Sequence, residues 1–245
     1  MIVAAHQTML APQGAPLGSV VFSGQMDSNL VWTDSGTSGP GAFTFSAWVK
    51  AAASPTRGAF VKVGNRQVGT TPGAGVGAGF GSTRFDPNYS GSHVVGLAES
   101  VAWANSSTDA STIASWHHYA VTLSGYALSV YIDGSLFWTK TFSNVRSMSP
   151  FVVYIGGNRG GGSGGDTNRF LACSMTRSAY WNRALSSSEV AADYADGKNA
   201  PTTTSGLEHF WPMSSATNYL TDAVGSATLT AGTGGVTIST DTPFA

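Results

Sequence analysis

The chain is short of the residues that carry most strong chemistry. It has one cysteine, Cys173, so no intrachain disulfide can form and the fold must rest on packing. Charged residues make up 10% of its 245 positions, against roughly 25% in an ordinary soluble chain. Formal net charge is −1, so no basic stripe exists for nucleic acid, and no cluster of Lys and Arg exists for an anionic membrane surface. No run of about 18 apolar residues occurs, which excludes a transmembrane helix. The N-terminal stretch M-I-V-A-A-H-Q-T-M-L-A-P has neither the basic start nor the apolar run of a signal peptide. Glutamate is scarcest among the acids: only Glu99, Glu189 and Glu208.

Glycine is abundant instead, at 31 residues, about double the usual share. The pattern from Gly18 onward is one of short β runs broken by turn chemistry: 18–23, 29–33, 43–51, 59–64, 74–81, 93–103, 116–124, 126–132, 136–142, 151–156 and 170–181. Asp133-Gly134 is the strongest hairpin signal, because both central positions of a type I′ turn take positive φ. Ser124-Gly125 is a second one. At residues 170–196 the period changes. Leu171, Cys173 and Met175 alternate as a half-buried strand ending at Trp181, and then Ser186 with Glu189 forms a capping box ahead of a short helix. Val190, Ala191 and Tyr194 give that helix an apolar face, and Gly197 suits its left-handed end. Residues 1–17 read as an arm or linker. Residues 18–245 read as a single two-sheet antiparallel sandwich, with 207–239 returning to it as terminal strands.

Four segments in order resemble the laminin-G-like branch of the concanavalin A-like lectin and glucanase superfamily. They are Phe43-Thr44-Phe45-Ser46-Ala47-Trp48-Val49-Lys50; Trp116-His117-His118-Tyr119-Ala120-Val121-Thr122 with Tyr131-Ile132-Asp133-Gly134; Tyr154-Ile155-Gly156-Gly157-Asn158; and the strand running into Trp181-Asn182-Arg183-Ala184-Leu185. The resemblance implies an all-β jelly-roll sandwich with one small helix. It also implies that Trp48, Trp116 and the His117-His118 pair are framework, so the tryptophans are expected in the core with Trp181. In such chains an apolar W-P followed by D-x-x-G often begins the domain. Here Trp211-Pro212 and Asp222-Ala223-Val224-Gly225 come near its end.

Function is less legible, since a fold hosts many activities. Glucanases of this superfamily align carboxylates on one strand, and a retaining mechanism needs two of them about 5–5.5 Å apart. Neither Glu99 nor Glu208 has an acid two or four places away, and Glu189 with Asp193 falls on the helix, where capping and solvation account for both. Cys173 reads as a buried structural thiol. His117 and His118 are adjacent on a strand, so they face opposite ways and cannot share a metal. His6, His93 and His209 have no partner at ligand spacing. Glycines at 73, 75, 77, 79 and 81 leave one strand face bare, which favours close approach of a neighbouring strand over a ligand surface.

Asp-x-Asn recurs at Asp27-Ser28-Asn29, Asp86-Pro87-Asn88 and Asp166-Thr167-Asn168. Calcium wants six to eight oxygens, more than any one pair supplies, and turn chemistry explains each pair. Thr176-Arg177 stands where laminin-G-like chains often carry D-E. No metal and no cofactor is expected, calcium being the one cation with any ligands on offer. Sugar stacking at strand ends and loops points to Tyr89 and Trp103, with Asp166, Asn168 and Arg169 of the glycine-rich 160–169 loop as the ligand-binding set.

Three functions follow. The first is a non-catalytic structural or adhesion protein of a virus particle, such as a bacteriophage capsid decoration or fibre component on the virion surface, its partners being itself or a protein lattice. The alternative is an extracellular glycan-binding lectin module, and cell-surface glycans could serve both. The third is a glycan-cleaving enzyme. No glycoside hydrolysis is expected, because the paired carboxylates are missing. Reducing-end release from a β-glucan panel, abolished by replacing Glu99, Glu189 or Glu208, would overturn this.

Overall fold

The structure is a computed structural model that describes residues 18–24, 28–34, 41–52, 58–64, 74–81, 91–98, 101–110, 112–146, 151–157 and 170–244. The strands are β1 (Ser19–Ser23), β2 (Leu30–Asp34), β3 (Ala42–Ala51), β4 (Gly58–Val63), β5 (Val76–Gly81), β6 (His93–Ala98), β7 (Ala102–Asp109), β8 (His117–Ser124), β9 (Ala127–Ile132), β10 (Ser135–Thr141), β11 (Phe151–Ile155), β12 (Ala172–Trp181), β13 (Leu207–Trp211), β14 (Thr230–Ala231) and β15 (Val236–Ser239). The single helix among the described residues, α1, is Ser187–Ala195. The strands form two antiparallel sheets. One runs β10-β9-β8-β3-β12-β1-β15, with β13 also on β12; the other runs β14-β2-β11-β4-β5-β6-β7. This is the jelly-roll sandwich that the sequence implies. Among the described residues no helix is long and apolar enough to cross a membrane.

Alternation makes the main core. Phe43, Phe45, Ala47 and Val49 of β3 and Tyr119, Val121 and Leu123 of β8 point inward and meet Phe60, Val63, Phe80, Val94 and Val153 of the facing sheet. Cys173 and Met175 join them, and burial pushes the Cys173 thiol well above its ordinary range. The 93–103 run is two strands, not one. Val101 N–H donates to the Ala98 carbonyl (3.0 Å), and β7 returns beside β6. The polar letters of β7 hid it, because half of its residues are exposed to water. At the Asp133-Gly134 turn both residues have positive φ (49° and 77°), as a type I′ turn requires. The neighbouring turn is centred on Gly125 and Tyr126, one residue later than the sequence reading. The glycines of β5 serve close packing: a Cβ on Gly79 would collide with the Gly58 carbonyl of β4.

A bulge in β12 sets the second layer. The pairing of β12 with β3 shifts between Thr176 and Ala179, and Arg177 there has φ 53°, uncommon for any residue but glycine. The bulge reverses the strand's phase. Before it, odd positions Cys173 and Met175 face the core; after it, Tyr180 faces the core while Ala179 and Trp181 face outward. The outward set, with Ala120, Tyr131, Leu185, Val190 and Phe210, forms a small second core. Trp181 is thus fully buried, but on the outside of its sheet.

The helix starts as its sequence says. Ser186 Oγ accepts from Glu189 N–H (3.4 Å), and the Glu189 carboxylate accepts from Ser186 N–H (2.8 Å). Arg183 grips the same carboxylate with two donors at 3.0 and 2.6 Å. Those bonds, the Arg183 pair foremost, hold Glu189 down to about 2. Asp193 differs from expectation: it is fully buried rather than solvated, because it lies one turn along the face that Val190 begins. Its carboxylate accepts from Arg177 Nη1 at 3.0 Å and faces His118 Nε2 at 3.1 Å, all three side chains shielded from water. Arg177 Nε donates to the Asn199 carbonyl (2.6 Å), which ties the chain beyond the helix to the same point.

Trp48 and Trp116 are not core residues. Both are half-buried on the outer face, where the last residues cover them: Trp48 meets Phe244 edge-on at 5.2 Å, and Trp116 Nε1 donates to Asp241 (3.1 Å). Lys50 pairs with Asp241 at 2.8 Å beside them. Their positions on β3 and ahead of β8 are as expected; the face is opposite, since Trp48 has the parity of Thr44 and Ser46.

The buried triad yields a stability prediction with a pH signature. Burial pushes the Asp193 carboxyl up, yet Arg177 and then His118 outweigh it and hold it well below the usual carboxylate range. Asp193→Ala leaves Arg177 uncompensated and should cost about 3–5 kcal/mol in urea unfolding at neutral pH. A carboxyl depressed by folding stabilises above its unfolded pKa of about 4 and loses that contribution as pH falls toward its folded value. The gap between wild type and variant should therefore narrow in acid. Equal stability at pH 7 would contradict the role given to Asp193.

Candidate functional site

Among the described residues a concavity lies at the β2 edge of the seven-stranded sheet, where β14 and the turn after it close against β2. Residues Val31 and Leu30 pair with Thr230 and Ala231, and Gly232 N–H donates to the Asn29 carbonyl (2.9 Å). Ser28 joins the two turns at that end: its hydroxyl accepts from Ser23 N–H (2.9 Å) and donates to the Gly235 carbonyl (3.0 Å). Between them is a cleft of about 470 Å³, within the usual range for small-molecule sites. Its described lining is Trp32, Asn29, Val31, four threonines (Thr33, Thr228, Thr230, Thr233), Ala231 and Gly232. None of these is charged. Hydroxyls, one carboxamide and small apolar side chains beside an indole suit a polyol, whose faces are apolar and whose edges donate and accept.

Support for that lining comes from β13. The Trp32 ring sits 4.1 Å from His209, which stacks on Trp211 at 5.3 Å. His209 Nδ1 is 2.6 Å from Asp222, whose carboxylate also accepts from the amides of Phe210, Val224, Gly225 and Ala227 at 3.0–3.1 Å. Burial pushes Asp222 up, but the bond with His209 and those amides outweigh it and hold it below its ordinary range. Asp222 thus builds the loop that delivers Thr228 to the cleft, and Trp211 Nε1 fixes its end by donating to the Ala227 carbonyl (3.0 Å). The geometry repeats at the β9–β10 hairpin, where Asp133 takes His117 Nδ1 (2.6 Å) and His118 N–H (2.9 Å). Both dyads brace turns. His93 faces the Ser106 carbonyl at 2.9 Å.

Of the residues expected to bind a ligand, Trp103 is half-buried on β7, packed against Ala59, Val95 and Leu97 on the outer side of the same sheet, and it does not line the cleft. Tyr89, Asp166, Asn168 and Arg169 lie outside the described residues. Among the described residues no cluster of three His, Cys, Asp or Glu side chains is placed to hold a metal ion. Glu189 is engaged by Arg183, and Glu208 accepts from Asn182 (2.7 Å); Glu99 is not described. Sequence reasoning picked out Asn29 within Asp27-Ser28-Asn29 as turn chemistry. Its place in the cleft had no local signal, because the opposite wall comes from residues about 200 positions away.

Comparison with known proteins gives the same architecture. A candidate carbohydrate binding protein from Bacteroides ovatus superposes with a TM-score of 0.59 at 14% identity, over 91% of this chain and 60% of that one. The heptameric SAP-like pentraxin of Limulus polyphemus gives 0.55 at 16% identity, over 90% and 94%. At those identities the likeness is one of fold, and the chain spans well under two thirds of the first protein. No curated protein matches the sequence. The profile of the concanavalin A-like lectin/glucanases superfamily, in its laminin-G form, matches residues 23–191, more than half of the chain, and the chain belongs to that superfamily.

Proposed function

We propose that the chain is a non-catalytic glycan-binding module and that the β2–β14 cleft holds the sugar. The observation that carries this is the lining: Trp32 with four threonines and the Asn29 carboxamide around about 470 Å³, without a charged side chain among its described residues. Glu189 and Glu208, tied to Arg183 and Asn182, stand apart from it. The Bacteroides ovatus neighbour, a candidate carbohydrate binding protein, supports the same reading.

The test is a glycan array followed by calorimetry on the best ligand. Thr33→Val with Thr230→Val removes two exposed hydroxyls while keeping shape, and should weaken binding about tenfold or more, since each hydrogen bond contributes on the order of 1 kcal/mol. Melting should be unchanged. Absence of any bound glycan, or indifference of binding to the double change, would sink the reading.

A second role, as a decoration or fibre component of a virus particle, is favoured by the larger sheet's margin. There β10 is the outermost strand among the described residues, and Leu136 and Tyr126 are 54% and 52% exposed. An edge strand with unpaired backbone groups can accept a second chain. Low charge leaves little repulsion to prevent it. Light scattering should find self-association that Leu136→Lys disrupts; a monomer at high concentration would argue against this role.

A further inference from the structure

We infer that the sugar held by the cleft carries an acetamido group, whose carbonyl oxygen accepts a hydrogen bond from Asn29 Nδ2. This rests on the glycan-binding reading. Asn29 is 2% exposed, and its Nδ2 is buried without a hydrogen-bond partner, although the residue lines the cleft. Native folds rarely leave a buried donor unpaired, because its lost hydration is not returned. The backbone at this point is fixed: the Asn29 carbonyl accepts from Gly232 N–H, and its neighbour Ser28 is clamped between Ser23 and Gly235.

The chemistry of the missing partner follows from what the lining already offers. Threonine hydroxyls rotate and both donate and accept, so Thr33, Thr228 and Thr230 can match ring hydroxyls in either sense. The carboxamide nitrogen only donates. It calls for a pure acceptor, and an amide carbonyl is the strongest uncharged one a sugar carries. Val31 and Ala231 supply apolar surface for the methyl of the same group. A carboxylate, as in sialic or uronic acids, would also accept, but the described lining has no cation to offset its lost hydration.

The test titrates the full chain with N-acetylglucosamine and N-acetylgalactosamine, with glucose and galactose, and with N-acetylneuraminic and glucuronic acids, following Trp fluorescence. At least one N-acetylhexosamine should bind about tenfold tighter than its parent hexose, and Asn29→Ala should bring that ratio close to one. Saturation-transfer NMR on the wild type, which needs no variant, should give the acetamido methyl the largest signal. Equal binding of hexose and N-acetylhexosamine, or tighter binding of the acids, overturns this inference and leaves the glycan-binding reading standing. Failure of every sugar, on the array as in solution, removes both.

Discussion

In a two-sheet sandwich a strand has one inward face for its whole length, and a second layer on the outside can be buried only if some strand changes phase. The bulge at Thr176–Ala179 makes that change, and Arg177 at positive φ is its hinge. Upstream of it β12 pairs with β1; downstream it pairs with β13. That turn of phase sends Trp181 under α1, seats β13 beside β12, and so brings His209 and Trp211 against Trp32. A buried guanidinium is costly to desolvate. Here Asp193, which is equally buried, answers it, and the helix that carries Asp193 thereby becomes part of the sheet's architecture.

Charge is used sparingly and locally. Arg177 with Asp193, Arg183 with Glu189, and Lys50 with Asp241 each fix a segment to the outer face of the larger sheet. The first is dry and anchors the helix; the other two are partly solvated and contribute much less. Aspartates also serve as turn organisers. Asp133 and Asp222 each gather a histidine ring and the amide of the residue after that histidine, so the same device is applied to a hairpin turn and to an unrelated loop.

Local chemistry was readable wherever one segment decides it. The capping box at Ser186 and Glu189, the type I′ turn at Asp133-Gly134 and the alternation of β3 and β8 depend on neighbours in sequence. Features decided by distant partners were not. Nothing near Trp48 says that Phe244 will lie on it, and nothing near Asp193 says that a bulged arginine will meet it. β7 escaped because its exposed polar face looks like loop. The cleft had a faint trace, an Asn in a turn motif, but a site whose walls come from opposite ends of the chain has no contiguous signature.

That last property has a consequence in time. The wall at residues 228–233 leaves the ribosome about 200 residues after Asn29 and Trp32, so the cleft is absent from every shorter nascent chain. The two walls can meet only after both have been made. A ligand in the cleft would bridge β2 to the loop and turn that carry Thr228 and Gly232, and would act as a clasp on a closure that the chain's own β14, only two residues long, holds lightly.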